Sequence, residues 1–388
     1  MHEPTTAAAV RPPSRSIGRA TLLTLPMLLW AALMFSRSLA LPGRAPKLAA
    51  LLTLIFMVTL FFKMLHTGHT YQWRRIFFVA LGLLFPVGFV WELLQARGSM
   101  SISMAQMLSG DVPFCFLAIP MTILPGVFTR TLIFPGSILP TVHNTHAVAG
   151  MVGMWLAATL VLGKAWCSFG CFFGGLDEGF AAIPRKSLIR KIRPGWRLVP
   201  WAILVAVVLL SLALFEPVYC WWLCPFKTVT EYPAVQSVET AIQAGIFVIL
   251  FIALVVVLPL LTRKRTQCAF FCPFGPFQSL SNYLNIFEIR IDRDRCLNCA
   301  TCKRDCPTMA IDDESVRAGR VRLTCMRCGA CVDHCPKGAA LWHIKGTPLT
   351  AKPETARLLF LYAVWGFATM FGGNIIARTL SKLLGVIG

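Results

Sequence analysis

CLNCATCKRDCP at 296–307 and CMRCGACVDHCP at 325–336 are one pattern written twice: Cys296, Cys299, Cys302 and Cys306 before Pro307, then Cys325, Cys328, Cys331 and Cys335 before Pro336. Spacing this tight lets three thiolates come from one loop, while the fourth cysteine of each copy crosses to the other centre. An iron–sulfur cube needs four converging thiolates. The pattern therefore predicts two [4Fe–4S] clusters, cluster one on Cys296, Cys299, Cys302 and Cys335, and cluster two on Cys306, Cys325, Cys328 and Cys331. The proline after each last ligand keeps the backbone turning. Zinc is the competing reading, because C-x2-C also binds zinc, but two complete copies ending in Cys-Pro argue against it.

Outward from this segment the composition is that of a chain mostly buried in lipid. The 388 residues are 56% hydrophobic and 14% charged, with a mean hydropathy of +0.67. Seven apolar segments, at 20–41, 48–65, 76–96, 144–163, 198–216, 241–262 and 357–377, are long enough to span a hydrocarbon core of about 30 Å. The expected fold is thus a membrane all-α bundle of about seven transmembrane helices with a small inserted α+β two-cluster domain. The expected organisation is a tail at 1–19, the bundle with its cysteine pairs at 20–282, the cluster domain at 283–346 and a final span at 357–377. The run from Ala20 to Leu41 is long for the apolar part of a cleaved signal and reads as a first membrane helix. Residues 97–143, apolar but broken by Pro and Gly, read as a surface or re-entrant segment that protein must shield.

The formal net charge of +20 does not imply nucleic acid. The basic residues border apolar segments, where they orient helices and meet anionic headgroups, and no nucleic-acid-reading motif accompanies them. The connection 164–197 carries seven Lys/Arg against two acidic residues, and 217–240 carries one lysine against two glutamates. The first is expected in the cytoplasm and the second on the far side. Arg263-Lys264-Arg265 then returns the chain, so the cluster domain is expected in the cytoplasm and the whole in a bacterial inner membrane.

Fourteen of the fifteen cysteines fall into metal-like spacings, with Cys115 alone outside. Beyond the eight above, Cys167/Cys171, Cys220/Cys224 before Pro225 and Cys268/Cys272 before Pro273 form three C-x3-C pairs, each just after an apolar span. On the expected topology Cys167, Cys171, Cys268 and Cys272 share the cytoplasmic side and supply four thiolates for a third cluster. Cys220 and Cys224 lie on the opposite face as a redox dithiol, as a metal site with Cys115, or as a structural disulfide. Half-helices at spans five and six would instead let all three pairs converge.

A helical bundle with C-x3-C-P pairs at its membrane edge, followed by two contiguous C-x2-C-x2-C-x3-C-P motifs, resembles the NapH/NosR-like polyferredoxins. The last sixty or so residues of that resemblance match the two-cluster bacterial ferredoxins. The likeness covers roughly residues 140–345, and it departs at Phe172, which stands where the first pair would carry its proline. The resemblance implies electron transfer between the quinone pool or cytoplasmic donors and a periplasmic reductase or cytochrome. Two other roles fit the same cysteines, a copper-handling or reductase-maturation factor and a redox-sensing membrane regulator. His143 and His146, three residues apart at the end of span four, are candidates for a haem, a metal or a quinol, or form a hydrogen-bonded interfacial pair.

Overall fold

A computed structural model describes residues 15–95, 117, 120, 147–189, 192–214, 218–230, 237–348 and 352–387. Cys115, His143 and His146 lie outside the described residues. The chain is mostly helical, and two compact units divide it: residues 1–85, 164–175 and 285–388 in the first, 86–163 and 176–284 in the second.

In the first unit, helix α1 (Ile17–Ala40) pairs with α2 (Arg44–Thr67), and Gly68, at φ 79°, ends α2 so that α3 (Thr70–Gln95) can start two residues later. Only glycine takes that left-handed turn without steric cost. The cluster domain is built on an antiparallel ribbon, β1 (Phe287–Ile291) against β2 (Ala340–Ile344), with Phe287 opposite Ile344 and Ile289 opposite Trp342. The strand β1 buries every second residue, placing Phe287, Ile289 and Ile291 on the inner face as period-two geometry requires.

Two C-terminal helices complete this unit. A further helix, Pro353–Ala368, runs through the π-turn Thr369–Gly373 into the helix Asn374–Ile387. Trp365, fully buried, packs edge-on against Phe77 at 5.1 Å and donates its indole N–H to the Met57 carbonyl at 3.1 Å. In lipid such a contact satisfies a polar group that water cannot reach. Arg357 does the same at the membrane edge, donating to the Met64 carbonyl at 2.6 Å and to Thr70 Oγ1 at 2.9 Å.

The second unit holds the helices Ala147–Leu162, Val199–Leu214, Val238–Leu250 and Phe274–Leu284. Its polar centre is Gln278, fully buried. The Gln278 Oε1 accepts from the Trp155 indole at 2.7 Å, while Nε2 donates to Thr159 Oγ1 and the Gly163 carbonyl, both at 3.1 Å.

Among the described residues five helices are long and apolar enough to cross a membrane: Ile17–Ala40, Arg44–Thr67, Pro194–Leu214, Val238–Thr262 and Pro353–Val386. A sixth is added if the pair Trp155–Phe169 and Phe172–Ala182, bent by 41°, counts as one span. That is short of the seven expected. Residues 76–95 of the third expected span lie in the continuous 26-residue helix α3, and the fourth, 144–163, overlaps the first arm of the bent pair at 155–163.

Candidate iron–sulfur sites

Both cysteine motifs fold into the same backbone track. Asn298 and Arg327, Ala300 and Gly329, and Met309 and Gly338 occupy equivalent places in the two copies, and all six have positive φ between 51° and 86°. Four of these are not glycine, and a side chain in the left-handed region costs roughly 1–2 kcal/mol. The repetition curls each loop round a centre so that its cysteines point inward. The same track aims backbone donors at sulfur: Ala310 N–H to Cys306 Sγ at 3.2 Å and Ala339 N–H to Cys335 Sγ at 3.1 Å, again at equivalent positions. Such N–H donors steady a thiolate and tune the potential of a cluster it holds.

Cysteines of the two copies come together in the side-chain sets. A cavity of about 310 Å³ is lined by Cys296, Cys299, Cys302 and Cys335, with Lys303, Arg317 and Lys337 among the residues at its wall. Cys302 has Cys335, Cys296 and Cys299 as electrostatic neighbours, and Cys331 has Cys325, Cys328, Cys306 and Cys302. The first set joins three cysteines of the first copy to Cys335 of the second, and the other joins three of the second copy to Cys306 and Cys302 of the first. The donor chemistry therefore fits two cubes side by side, with Cys302 and Cys331 between them.

Burial sets the protonation of these thiols. It pushes both Cys302 and Cys325 up to about 11 and Cys331 well above the ordinary thiol range. Cys299 goes the other way, because hydrogen bonds from the Thr301 backbone and hydroxyl favour its thiolate. Bound iron would therefore supply the drive to deprotonate Cys302, Cys325 and Cys331.

The three C-x3-C pairs share a local fold that spacing alone does not reveal. Cys220 lies in the π-turn Tyr219–Leu223 with Cys224 capping its end, and Cys268 lies in the π-turn Gln267–Phe271 with Cys272 capping its end. The first pair closes a similar wide turn, with Cys171 N–H donating to the Trp166 carbonyl at 3.0 Å, matched by Cys272 N–H to the Gln267 carbonyl at 2.9 Å. An i to i+5 turn is rare and is concentrated at functional sites. Cys167 and Cys171 are buried in the first unit, and the other two pairs belong to the second.

Within the second unit the opposite-face expectation for Cys220 and Cys224 is corrected. Gln267 Nε2 donates to Tyr219 Oη at 2.9 Å, and the phenol has Cys224, Cys272 and Cys220 as electrostatic neighbours. The two turns lie together because the chain folds back after each long helix. Val218 N–H returns to Ser211 Oγ at 3.2 Å, and Thr266 Oγ1 returns to the Leu254 carbonyl at 2.5 Å. Around Cys268 sits a buried charged group: Arg265 donates to Cys268 Sγ at 3.1 Å and pairs with Glu178 at 3.6 Å, while Asp177 accepts from the Cys268 N–H at 3.0 Å.

Fold and site together define a helical membrane protein that carries 4Fe–4S binding domains. Comparison with known families finds a 4Fe–4S dicluster domain at 288–336 and three copies of a 4Fe–4S binding domain at 144–191, 198–235 and 244–291. Each of the three copies contains one C-x3-C pair, so the pairs mark an internal repeat of helix plus wide turn. These domains and the relatives below make the chain similar to the NapH-like polyferredoxins. It is 25% identical over 246 residues to YccM of Escherichia coli K12, a protein named for electron transport, covering 62% of this chain and 65% of that one. It is 27% identical over 182 residues to the ferredoxin-type protein NapH of Haemophilus influenzae, covering 33% of this chain and 63% of that one. An uncharacterized protein of Methanocaldococcus jannaschii is 26% identical over 172 residues, covering 35% and 67%. The chain thus spans about two thirds of the length of these relatives. No solved structure matches it.

Proposed function

We propose that the chain is a transmembrane electron relay of the bacterial inner membrane. Its cytoplasmic domain, 283–346, holds [4Fe–4S] cluster one on Cys296, Cys299, Cys302 and Cys335 and cluster two on Cys306, Cys325, Cys328 and Cys331. The observation that carries this reading is the convergence of Cys335 from the second motif on the cavity lined by Cys296, Cys299 and Cys302, the ligand crossing that two adjacent cubes require. The C-x3-C turns continue the relay with a third iron–sulfur centre that draws on Cys167 and Cys171. The far end exchanges electrons with a quinone or a periplasmic reductase or cytochrome. The buried guanidinium of Arg265 against Cys268 supports a redox role for that turn, because a fixed positive charge offsets the negative charge of a thiolate-bound cluster.

The test is anaerobic purification in detergent with iron and sulfide analysis and EPR, repeated on Cys167→Ser and Cys220→Ser. About twelve irons per chain, at four per cube, falling by a third only in Cys167→Ser, supports the proposed ligand set. A fall in Cys220→Ser instead reassigns the third centre to the second-unit turns, and about eight irons unchanged in both variants sinks it. Quinol-dependent reduction of the clusters identifies the membrane-side exchange partner.

A further inference from the structure

The two clusters of the dicluster domain sit in unlike surroundings. Around cluster one Cys299 is exposed, and Leu297 beside it is 54% exposed at the mouth of the cavity. Around cluster two Cys306, Cys328 and Cys331 are buried, as are Met326, Arg327 and Ala330. Burial on that side comes from the membrane helices of the same unit. Tyr71, in the first turn of α3, packs on the cluster formed by Met326, Cys328 and Ala330, and its N–H donates to Asp333 at 2.7 Å. The cluster-two loop is therefore seated on the end of α3.

The same loop is bonded to the first C-x3-C turn. Ser168, which follows Cys167, is fully buried, and its Oγ donates to the carbonyl of Met326, which follows Cys325. That bond is 2.7 Å long. The turn is held in place from behind by Arg74, fully buried among the rings of Tyr71, Phe78 and Phe169, which donates to the Ser168 carbonyl at 2.6 Å. Lys164, three residues before Cys167, is buried and is an electrostatic neighbour of Cys325. One short hydrogen bond thus separates a ligand loop of cluster two from the Cys167–Cys171 turn.

We propose that the dicluster domain is polarised, with cluster one as the water-side port and cluster two passing electrons to and from the Cys167–Cys171 turn across the Ser168–Met326 bond. In the outward direction one electron leaves reduced cluster two, which returns to its oxidised state, and the iron–sulfur centre on the turn gains it. No bond is made or broken, and a reversed flow uses the same contact. Ser168 acts as a positioning residue that couples the two sites. The inference rests on the relay proposed above.

Full-length protein in detergent, reduced with dithionite and followed by EPR, tests it with a soluble dysprosium chelate as the relaxing agent. The chelate is expected to speed the relaxation of cluster one, identified by its loss in Cys296→Ala, and to leave that of cluster two unchanged. Faster relaxation of cluster two than of cluster one overturns the polarity. Rapid mixing with dithionite tests the hand-off. Cys325→Ala should still reduce cluster one but no longer reduce the centre on the turn, whereas Ser168→Ala, with iron content and both cluster signals intact, should slow that last step several-fold. Unchanged onward reduction in both variants overturns the route. An iron count showing no centre on Cys167 and Cys171 defeats the relay itself, while the chelate result still decides which cluster faces water.

Discussion

Gly175 illustrates how one missing methylene shapes this membrane protein. A Cβ placed there meets the Phe78 carbonyl oxygen at 2.1 Å and the backbone of Gly82 at 3.0 Å, so two helices approach to near backbone contact, as small residues permit in lipid. Gly175→Ala must push them apart, and overpacking of this kind costs typically about 1–3 kcal/mol. A lower thermal midpoint in detergent is the expected outcome. Gly245, in the Val238–Leu250 helix with nothing within 4 Å of its absent side chain, is the control. Gly245→Ala should leave stability unchanged or raise it by up to about 1 kcal/mol through helix propensity. The residue scale also fixes a pH dependence. Cys302 and Cys325, pushed up to about 11 by burial, are protonated thiols at neutral pH without iron, and cluster assembly must release their protons. Reconstitution of chelator-stripped protein with iron and sulfide should therefore become more complete as pH rises from about 7 to 9. A yield that falls over that range contradicts the assignment.

At the scale of elements, the two cysteine loops are legible from sequence because their chemistry is local. Eight cysteines lie within about forty residues at a spacing that suits a cluster pair, and the equivalent positive-φ positions follow from the repeated motif. Cys335→Ser puts the crossed ligand to the test. It should abolish or broaden the EPR signal of cluster one, whose other ligands lie in the first motif, while cluster two keeps its signal. Loss confined to cluster two would show that each loop binds its own cube. The C-x3-C turns are less legible. Hydropathy averages over some twenty residues and cannot register a chain that turns back within a span, so Cys220/Cys224 and Cys268/Cys272 read as lying on opposite faces. What brings them together is a handful of long-range bonds, Tyr219 with Gln267, Val218 with Ser211 and Thr266 with Leu254. None of these has a periodic signature. The three-fold repeat does have a trace in sequence, the recurrence of an apolar span followed by C-x3-C. Buried Arg265 and Glu178 could be suspected only as ionisable residues beside apolar segments. Arg265→Met leaves Glu178 buried without this partner, and breaking a buried pair typically costs about 3–5 kcal/mol. Arg265→Lys, which keeps the charge, should retain more thermal stability than Arg265→Met, and equal losses would remove charge pairing as the reason.

The whole molecule turns on how many times it crosses the bilayer, because the parity of that number decides which side each end occupies. At 1.5 Å per residue, the 26 residues of α3 extend roughly 39 Å, more than the hydrocarbon core of about 30 Å, and residues 76–91 within it are apolar. If α3 and the bent pair Trp155–Phe169 with Phe172–Ala182 each cross once, they join the five straight spans to make seven among the described residues. The alternative is that the bent pair enters and leaves on one side, since a 41° bend beside buried cysteines also suits a re-entrant segment shielded by protein. That alternative leaves six crossings. The basic connections bear on the choice: with Arg11, Arg15 and Arg19 before or in the first turn of the first span and Arg263, Lys264 and Arg265 before the cluster domain, an inward N-terminus and an inward domain need an even number of crossings between them. Six satisfy this, with the last helix as the seventh. Reporter enzymes active only outside the cytoplasm, fused before Met1 and after Gly388, read the parity directly. Seven crossings predict an inactive N-terminal fusion and an active C-terminal one. Equal behaviour at both ends would mean an even count, and the bent pair would then be the segment that fails to cross.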